Sequence, residues 1–500
     1  MKDIDRHNPL NLAEYVLRAG LDCPDKLAMS VIGPTRADRW SHGRLRAAVL
    51  GCATGLLSAG LVPGDRLLMR LGNTPAFPVV YLGAIAAGIV PVPTSAMLTM
   101  REVTRIADQI APAMVVMGDG VALPERDLPV LHESQITQFA TLPPADFAQG
   151  DPNRLAYIVY TSGSSGQPRA VAHAHRAILA RQMMFEGWYG LRPADRLLHA
   201  GAFNWTFTLG TGLMDPWTIG ATALIPAQGV ALEQIPLLAR RHGASILAAA
   251  PGVFRRMLRA DWSAWPDLRH GLAAGERLAP ALRLAWANRT GTDLHEAMGM
   301  SECSTFLSGS PARPAPTGTA GYPQPGRHVA VLGDDGTPLP PGQAGALAVR
   351  RDDPGLFLGY LGQPDETASK FRGDWFLTGD QAVIGPDGAI TLDGRADDIM
   401  NAGGYRVAPA EVEELLATHP GAGDVAAAEI ATPSGSSFIA AFWTGPATEG
   451  ELRALAETGL ARYKQPRAFV GIPALPRTPT GKINRRALRE NWPQLSKETP

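Results

Sequence analysis

The strongest constraint on this chain is an alternation of two periodicities. Short aliphatic runs such as RLLMRL (66–71), AMVVM (113–117), ATALIP (221–226) and SILAAA (245–250) read as strands. Between them lie helical stretches such as RLRAAVLGCATGLLSAG (44–60) and LEQIPLLARRHG (232–243). Strands that alternate with helices in this way predict an α/β fold with mainly parallel sheets flanked by helices. The most apolar stretch, VVYLGAIAAGIVPVP (79–93), is too short and too broken by Gly and Pro to span a bilayer, so it reads as a buried helix followed by a strand.

From about 315 to 395 the pattern changes to short strands and many turns. GDDGTPLPPGQAGALAVR and IGPDGAITLDGR predict hairpins of a β-rich subdomain. After Gly394 the mixed pattern returns, with PAEVEELLATHP (409–420) as a capped amphipathic helix and FIAAFW (438–443) as a strand. A chain of 500 residues exceeds what one core supports. The expected division is a large domain over 1–396, which contains the β-rich subdomain 315–395, and a small mobile α+β domain over 397–500.

Lys and Arg total 46 against 47 Asp and Glu, a formal net charge of −1, so no overall field draws the chain to nucleic acid or to an anionic membrane. Any anion site must be local. Cys23, Cys52 and Cys303 lie far apart, with no disulfide framework and no zinc-ligand spacing. The opening MKDIDRHNPLNLAEY holds no uninterrupted apolar segment, so no secretory signal is expected and a cytoplasmic location fits. No nucleic-acid partner and no membrane span are expected; a homodimer is left open.

Directly after the strand-like LAYIVY (155–160) comes TSGSSGQPRA (161–170), which has no large apolar side chain. Glycine lets backbone N–H groups converge on an oxyanion, the hydroxyls of Thr161, Ser162, Ser164 and Ser165 donate hydrogen bonds, and Arg169 supplies charge. The loop is not a Walker A motif, because Gly163 and Gly166 are separated by two residues and followed by Gln167 and Pro168. Composition alone favours a solvated Gly/Ser turn.

That loop extends to YTSGSSGQPRAVAHAH, and AAGERL (273–278), EAMGMSE (296–302), WFLTGD (375–380), GRADDIMNAGGYRVAPAEVE (394–413) and PRTPTGKINR (476–485) follow it in order. Across these motifs, and over essentially its whole length, the chain resembles the adenylate-forming superfamily of acyl- and aryl-CoA ligases, luciferases and peptide-synthetase adenylation domains. The resemblance implies ATP, Mg²⁺ and coenzyme A as reactants or cofactors, and a carboxylic acid as substrate. It implies two half-reactions: acid and ATP give an acyl-adenylate and pyrophosphate, then a thiol attacks the mixed anhydride and AMP leaves. Two anions must be brought together in the first step, so cations and N–H donors are obligatory.

The resemblance also implies roles. The loop residues Thr161, Ser162, Gly163, Ser164, Ser165 and Gly166 match the family's hold on the departing phosphates, with Arg169 where the family has Lys and Ala170 where it has Gly. Glu302 matches the Mg²⁺ ligand, with Thr161 as a second candidate, and a hard oxygen ligand suits that ion. Ser301 stands in place of Thr, and Met298, beside Gly299, in place of a Tyr that packs on adenine. Ala274, Gly275 and Glu276 match the adenine site. Asp380 matches the acid that binds the ribose hydroxyls, Arg395 an arginine near ribose and α-phosphate, and Asp397 the hinge. Lys482 matches the lysine that reaches the carboxylate and the α-phosphate together, so Lys482, Glu302 and Arg169 are the expected catalytic residues. Gly403 and Gly404 match a loop that faces the pantetheine arm, where Arg406 either assists the CoA phosphates or holds the loop.

The acid is expected among Phe203, Trp205, Thr206 and Phe207 of GAFNWTFTLGTG (201–212) and Thr305 and Phe306 of CSTFLS (303–308). At least two of the four aromatics there are expected to fill core instead. SECSTFLS resembles benzoate-type aryl-CoA ligases, and 201–212 holds no Asp to receive an α-ammonium group. Cys303 reads as packing rather than as a nucleophile. Two other readings remain: a ligase that loads a carrier protein, and a non-catalytic nucleotide-binding protein in which Arg169, Ala170 and Met298 mark decay.

Overall fold

The computed structural model describes residues 10–162, 168–260, 262, 265–275, 278, 280–395, 400–402, 404–433, 435–477 and 483–495, without the side chains of 162 and 393–395. The chain is α/β as expected. Its largest sheet has nine strands, in spatial order Tyr322–Pro323, Ser304–Ser308, Leu294–Met300, His270–Ala274, Ile246–Ala249, Arg196–His199, Thr222–Pro226, Leu27–Ile32 and Ala37–Ser41. The six strands from Leu294–Met300 to Leu27–Ile32 are parallel, and antiparallel strands finish both edges. A second sheet, Val90–Pro93, Arg66–Arg70, Met114–Met117 and Val130–His132, is parallel throughout.

The aliphatic runs are strands because helices cover them: Leu67, Leu68, Leu197, Leu198, Ile246 and Leu247 are all buried. Ala76–Ala86 forms the buried helix and Val90–Pro93 the strand expected from the most apolar stretch. Among the described residues no helix is long and apolar enough to cross a membrane.

The run 155–174 is an antiparallel hairpin, Leu155–Ser162 with Pro168–Ala174, in which Thr161 stands opposite Arg169. Gly359–Tyr360 adds a third strand to it. Within 315–395 a five-stranded sheet joins Val329–Leu332, Ala344–Arg350, Trp375–Ile384 and Phe371–Arg372, with Ile390–Arg395 beside Trp375–Ile384. Beyond it a short hairpin (Met400–Ala402, Tyr405–Val407) precedes the three-stranded sheet of Val425–Ala431, Ser437–Trp443 and Ala468–Gly471. The helix expected at 409–420 is Pro409–Leu416, and its start corrects one expectation: Ala408 precedes it and no side chain caps it. Proline supplies the helical φ at the first turn, where its missing N–H costs nothing.

Candidate active site

The carboxyl ends of three parallel strands of the largest sheet open into one cavity. Ala274 and Gly275 follow His270–Ala274, Gly299, Met300 and Ser301 end Leu294–Met300, and Asn204 to Phe207 follow Arg196–His199. The same cavity reaches Thr161 and Pro168 on the hairpin, and Gly404, Tyr405 and Arg406 on the far side. Parallel sheets place ligands at this end because every strand there turns into a loop at the same level.

Thr161, Ala274, Gly275, Gly299, Ser301, Gly404, Arg406, Trp205, Thr206, Phe207 and Thr305 all line this cavity. Glu302, Arg169, Asp380 and Met298 lie outside its lining. Met300 lines it and Met298, two residues back along the strand, does not, although both pack against the core of the β-rich sheet. Gly163, Ser164, Ser165, Gly166, Glu276, Asp397, Gly403 and Lys482 lie outside the described residues, as do the side chains of Ser162 and Arg395. The backbone of Arg395 stands directly opposite Asp380 on neighbouring antiparallel strands.

Two expected pocket aromatics are corrected. Phe203 is buried against Phe77, with ring centroids 5.5 Å apart, and Phe306 sits wholly inside the core of the β-rich sheet. Thr305 and Phe306 are successive strand residues and must face opposite ways, so with Thr305 in the cavity Phe306 cannot be. Phe207 and Trp205 remain. Phe207 is held by Trp188 at 5.5 Å, Trp205 at 5.1 Å and His199 at 4.3 Å between ring centroids.

Trp205 links this wall to the C-terminal part of the chain. A Cβ at Gly275 would lie 2.5 Å from the indole, and one at Gly404 would lie 3.2 Å from it. Both glycines have left-handed backbone, φ +93° and +90°, which strains any side chain, and at Gly275 the indole also leaves no room for one. Tyr405 stacks on Trp205 at 6.3 Å and on Tyr463 at 4.2 Å, a ladder of rings that no sequence motif announced.

Glu302 is 3% exposed. Tyr360 donates to its Oε1 at 2.8 Å, while Oε2 has no hydrogen-bond partner among the described residues. Burial, and then the neighbouring carboxylate, push the Tyr360 phenol well above its ordinary pKa, so it keeps its proton and donates. A buried carboxylate oxygen left without a donor suits a hard divalent cation. Among the described residues no cluster of three His, Cys, Asp or Glu forms a ready-made metal cage. Mg²⁺ held by one or two protein oxygens and substrate phosphates needs no such cage. Arg169, 7% exposed, pairs with Glu366 and lies with its guanidinium 5.1 Å from the Tyr360 ring centre. His173 Nε2 donates to Ser301 O at 2.7 Å, and burial lowers its pKa to about 4, so it is neutral. Burial pushes the Cys303 thiol up, which fits packing rather than attack.

The matched motifs, the parallel sheet and the cavity at its carboxyl edge define a nucleotide-using α/β enzyme. The chain belongs to the AMP-binding enzyme family, whose model matches residues 18–361, and the model of the AMP-binding enzyme C-terminal domain matches 411–482. It is 29% identical to the human mitochondrial acyl-coenzyme A synthetase ACSM2B, over 96% of this chain and 89% of that protein. It is 28% identical to a 3-hydroxybenzoate–CoA/4-hydroxybenzoate–CoA ligase of Thauera aromatica, over 90% and 91%. The benzoate CoA ligase of Burkholderia xenovorans superposes with a TM-score of 0.71 at 25% identity, covering 96% of this chain and 100% of that one. A double mutant of the o-succinylbenzoate CoA synthetase of Bacillus subtilis superposes at 0.85 and 19% identity, covering 95% and 98%, a likeness of fold.

Proposed function

We propose that the chain is an AMP-forming acid–thiol ligase acting on an aryl or medium-chain acyl acid. In the first step a carboxylate oxygen attacks the α-phosphorus of ATP and pyrophosphate leaves. In the second, the sulfur of coenzyme A attacks the acyl carbon, loses its proton, and AMP leaves. The observation that carries this reading is the continuity of one cavity from Thr161 and Pro168, past Gly299 to Ser301, to Thr206 and Phe207, with Gly404 to Arg406 facing it. In this reading the flanks of the phosphate loop, the acid wall and the thiol-facing loop share one space.

In this reading Thr161 and Arg169 flank the loop that holds the departing phosphates, Asp380 accepts from ribose hydroxyls, and Lys482 orients carboxylate and α-phosphate. Mg²⁺, with Glu302 as its carboxylate ligand, neutralises phosphate charge when bound. Trp205, Thr206, Phe207 and Thr305 confine the acid. The same reading keeps the boundary near 397, which is supported by the separate C-terminal family model and by buried clusters made of residues 400–495 alone. It also keeps a cytoplasmic location.

The test is AMP formation with CoA across benzoate, hexanoate, acetate and malonate. Burying roughly 100–200 Å² of apolar surface against Phe207 and Trp205 is worth a few kcal/mol at about 25 cal/mol per Å². Benzoate or hexanoate should therefore exceed acetate in kcat/KM by about two orders of magnitude. A preference for acetate or malonate would reject the apolar pocket, and AMP release without a CoA thioester would point to a carrier-protein acceptor.

A further inference from the structure

One part of the cavity wall is polar, buried and without a role in the chemistry above. Arg181, the last residue of the helix Ala177–Arg181, lies beside Thr206 to Thr211 and Ser304 and is 8% exposed. Its Nε and Nη2 donate to the two carboxylate oxygens of Asp215, both at 2.7 Å, and its Nη1 donates to Ser304 Oγ at 2.8 Å. Tyr189 donates to Asp215 Oδ2 at 2.8 Å and lies 2.7 Å from Thr211 Oγ1. The space for this fork comes from Gly210, where a Cβ would lie 2.0 Å from Arg181 Cζ.

The proton inventory of this cluster is nearly closed. Arginine only donates, so Ser304 Oγ accepts from Arg181 and keeps its own hydrogen to give. Tyr189 has one hydrogen and directs it to a carboxylate, so Thr211 donates to Tyr189; Arg181 Nη2 also lies 3.3 Å from the Tyr189 hydroxyl and 3.4 Å from Thr211 Oγ1, which leaves Thr211 one of its two lone pairs to accept with. The wall therefore shows the cavity one hydroxyl donor and one hydroxyl acceptor from residues that line it. Ser304 adopts left-handed backbone, φ +63°, one of two non-glycine residues with positive φ among those described. Backbone of that kind persists only where its surroundings hold it, and it gathers at ligand sites. Asp215 cancels the charge of Arg181, so the wall has no net charge to offer a second carboxylate.

We infer that Arg181, Ser304 and Thr211 form a specificity site for an uncharged hydroxyl on the acid, remote from the reacting carboxylate, and that the substrate class is a hydroxylated aryl acid. This deepens the acid-activating reading above and rests on it. A group able both to donate and to accept satisfies the wall, whereas a methyl group of similar size leaves both wall hydroxyls dry and unpaired, and a carboxylate adds an unbalanced charge.

The experiment compares kcat/KM for AMP formation with benzoate, 3- and 4-hydroxybenzoate, 3- and 4-methylbenzoate and isophthalate. It is run on the wild type, on Thr211→Val, which keeps the shape, and on Ser304→Gly, which removes the hydroxyl and suits the left-handed backbone. The better hydroxybenzoate should exceed both benzoate and its methyl counterpart by about tenfold or more, with isophthalate slowest. Each variant should shrink that hydroxyl-to-methyl ratio by about tenfold. A ratio near one in the wild type, a ratio unchanged in Thr211→Val, or a preference for isophthalate would overturn the inference. If benzoate yields AMP and thioester with no hydroxyl preference, the ligase reading stands and only the specificity site falls; no AMP from any acid overturns both.

Discussion

Glu302 carries more structural consequence than its place in MGMSE suggests. Its Oε1 depends on one phenolic donor, Tyr360, from a strand pairing with the phosphate-loop hairpin, and the same ring lies under Arg169. The residue matched to Mg²⁺ and the residue matched to the phosphates are thus braced by one tyrosine. Tyr360→Phe should leave the buried carboxylate without its donor and lower stability by about 1–3 kcal/mol. Urea unfolding at pH 7 measures this, and Mg²⁺ with ATP should restore part of the loss if Glu302 is the metal ligand. No loss would mean that the hydroxyl is dispensable. MGMSE was legible as a motif, but Tyr360 was not, because it lies 58 positions along the chain from Glu302 and no local pattern links the two.

At the scale of elements, the helix Met100–Ile110 begins with a capping box of the T-x-x-E form: Thr99 receives from Glu102 N, and Glu102 Oε2 receives from Thr99 N at 2.9 Å. The same carboxylate accepts from Ala461 N at 3.1 Å and from Lys464 Nζ at 2.9 Å, and Lys464 also reaches Glu411 at 2.7 Å. A local helix-start device is therefore also the dock for the C-terminal part of the chain. This contact accompanies Gly404 and Tyr405 against Trp205, the arrangement that faces the loop matched to the thiol step toward the cavity. Removing the ammonium leaves the buried Glu411 carboxylate and the partly buried Glu102 carboxylate without their cation, a cost of about 3–5 kcal/mol by the usual measure of broken buried pairs. Lys464→Met should slow thioester formation from supplied acyl-adenylate at least about tenfold more than it slows adenylation. Equal effects on both half-reactions would reject the dock as a stabiliser of this arrangement.

Over the whole molecule, burial holds several histidines neutral. His173 and His270 are lowered to about 4, and His175, His199 and His295 to about 3. Between these values and the ordinary value near 6.5 the unfolded chain binds protons that the folded chain does not, so stability is complete above that range and falls as pH drops through it. Each such group contributes a loss of about 1.4 kcal/mol per pH unit. The urea midpoint should fall steeply between pH 7 and pH 5, and a midpoint that holds steady would contradict the neutral, buried state of these rings. What the sequence by itself determined was whatever depends on neighbours along the chain: strands and helices from periodicity, the β-rich stretch from its turns, and the order of the family motifs. Tertiary structure alone decided which face each residue presents and what meets it there. Strand alternation sent Phe306 into the core while Thr305 faced the cavity, and Gly210 made room for an arginine distant in sequence. Side-chain chemistry is written locally, but a pocket is made of residues that only the packing of sheets and helices brings together.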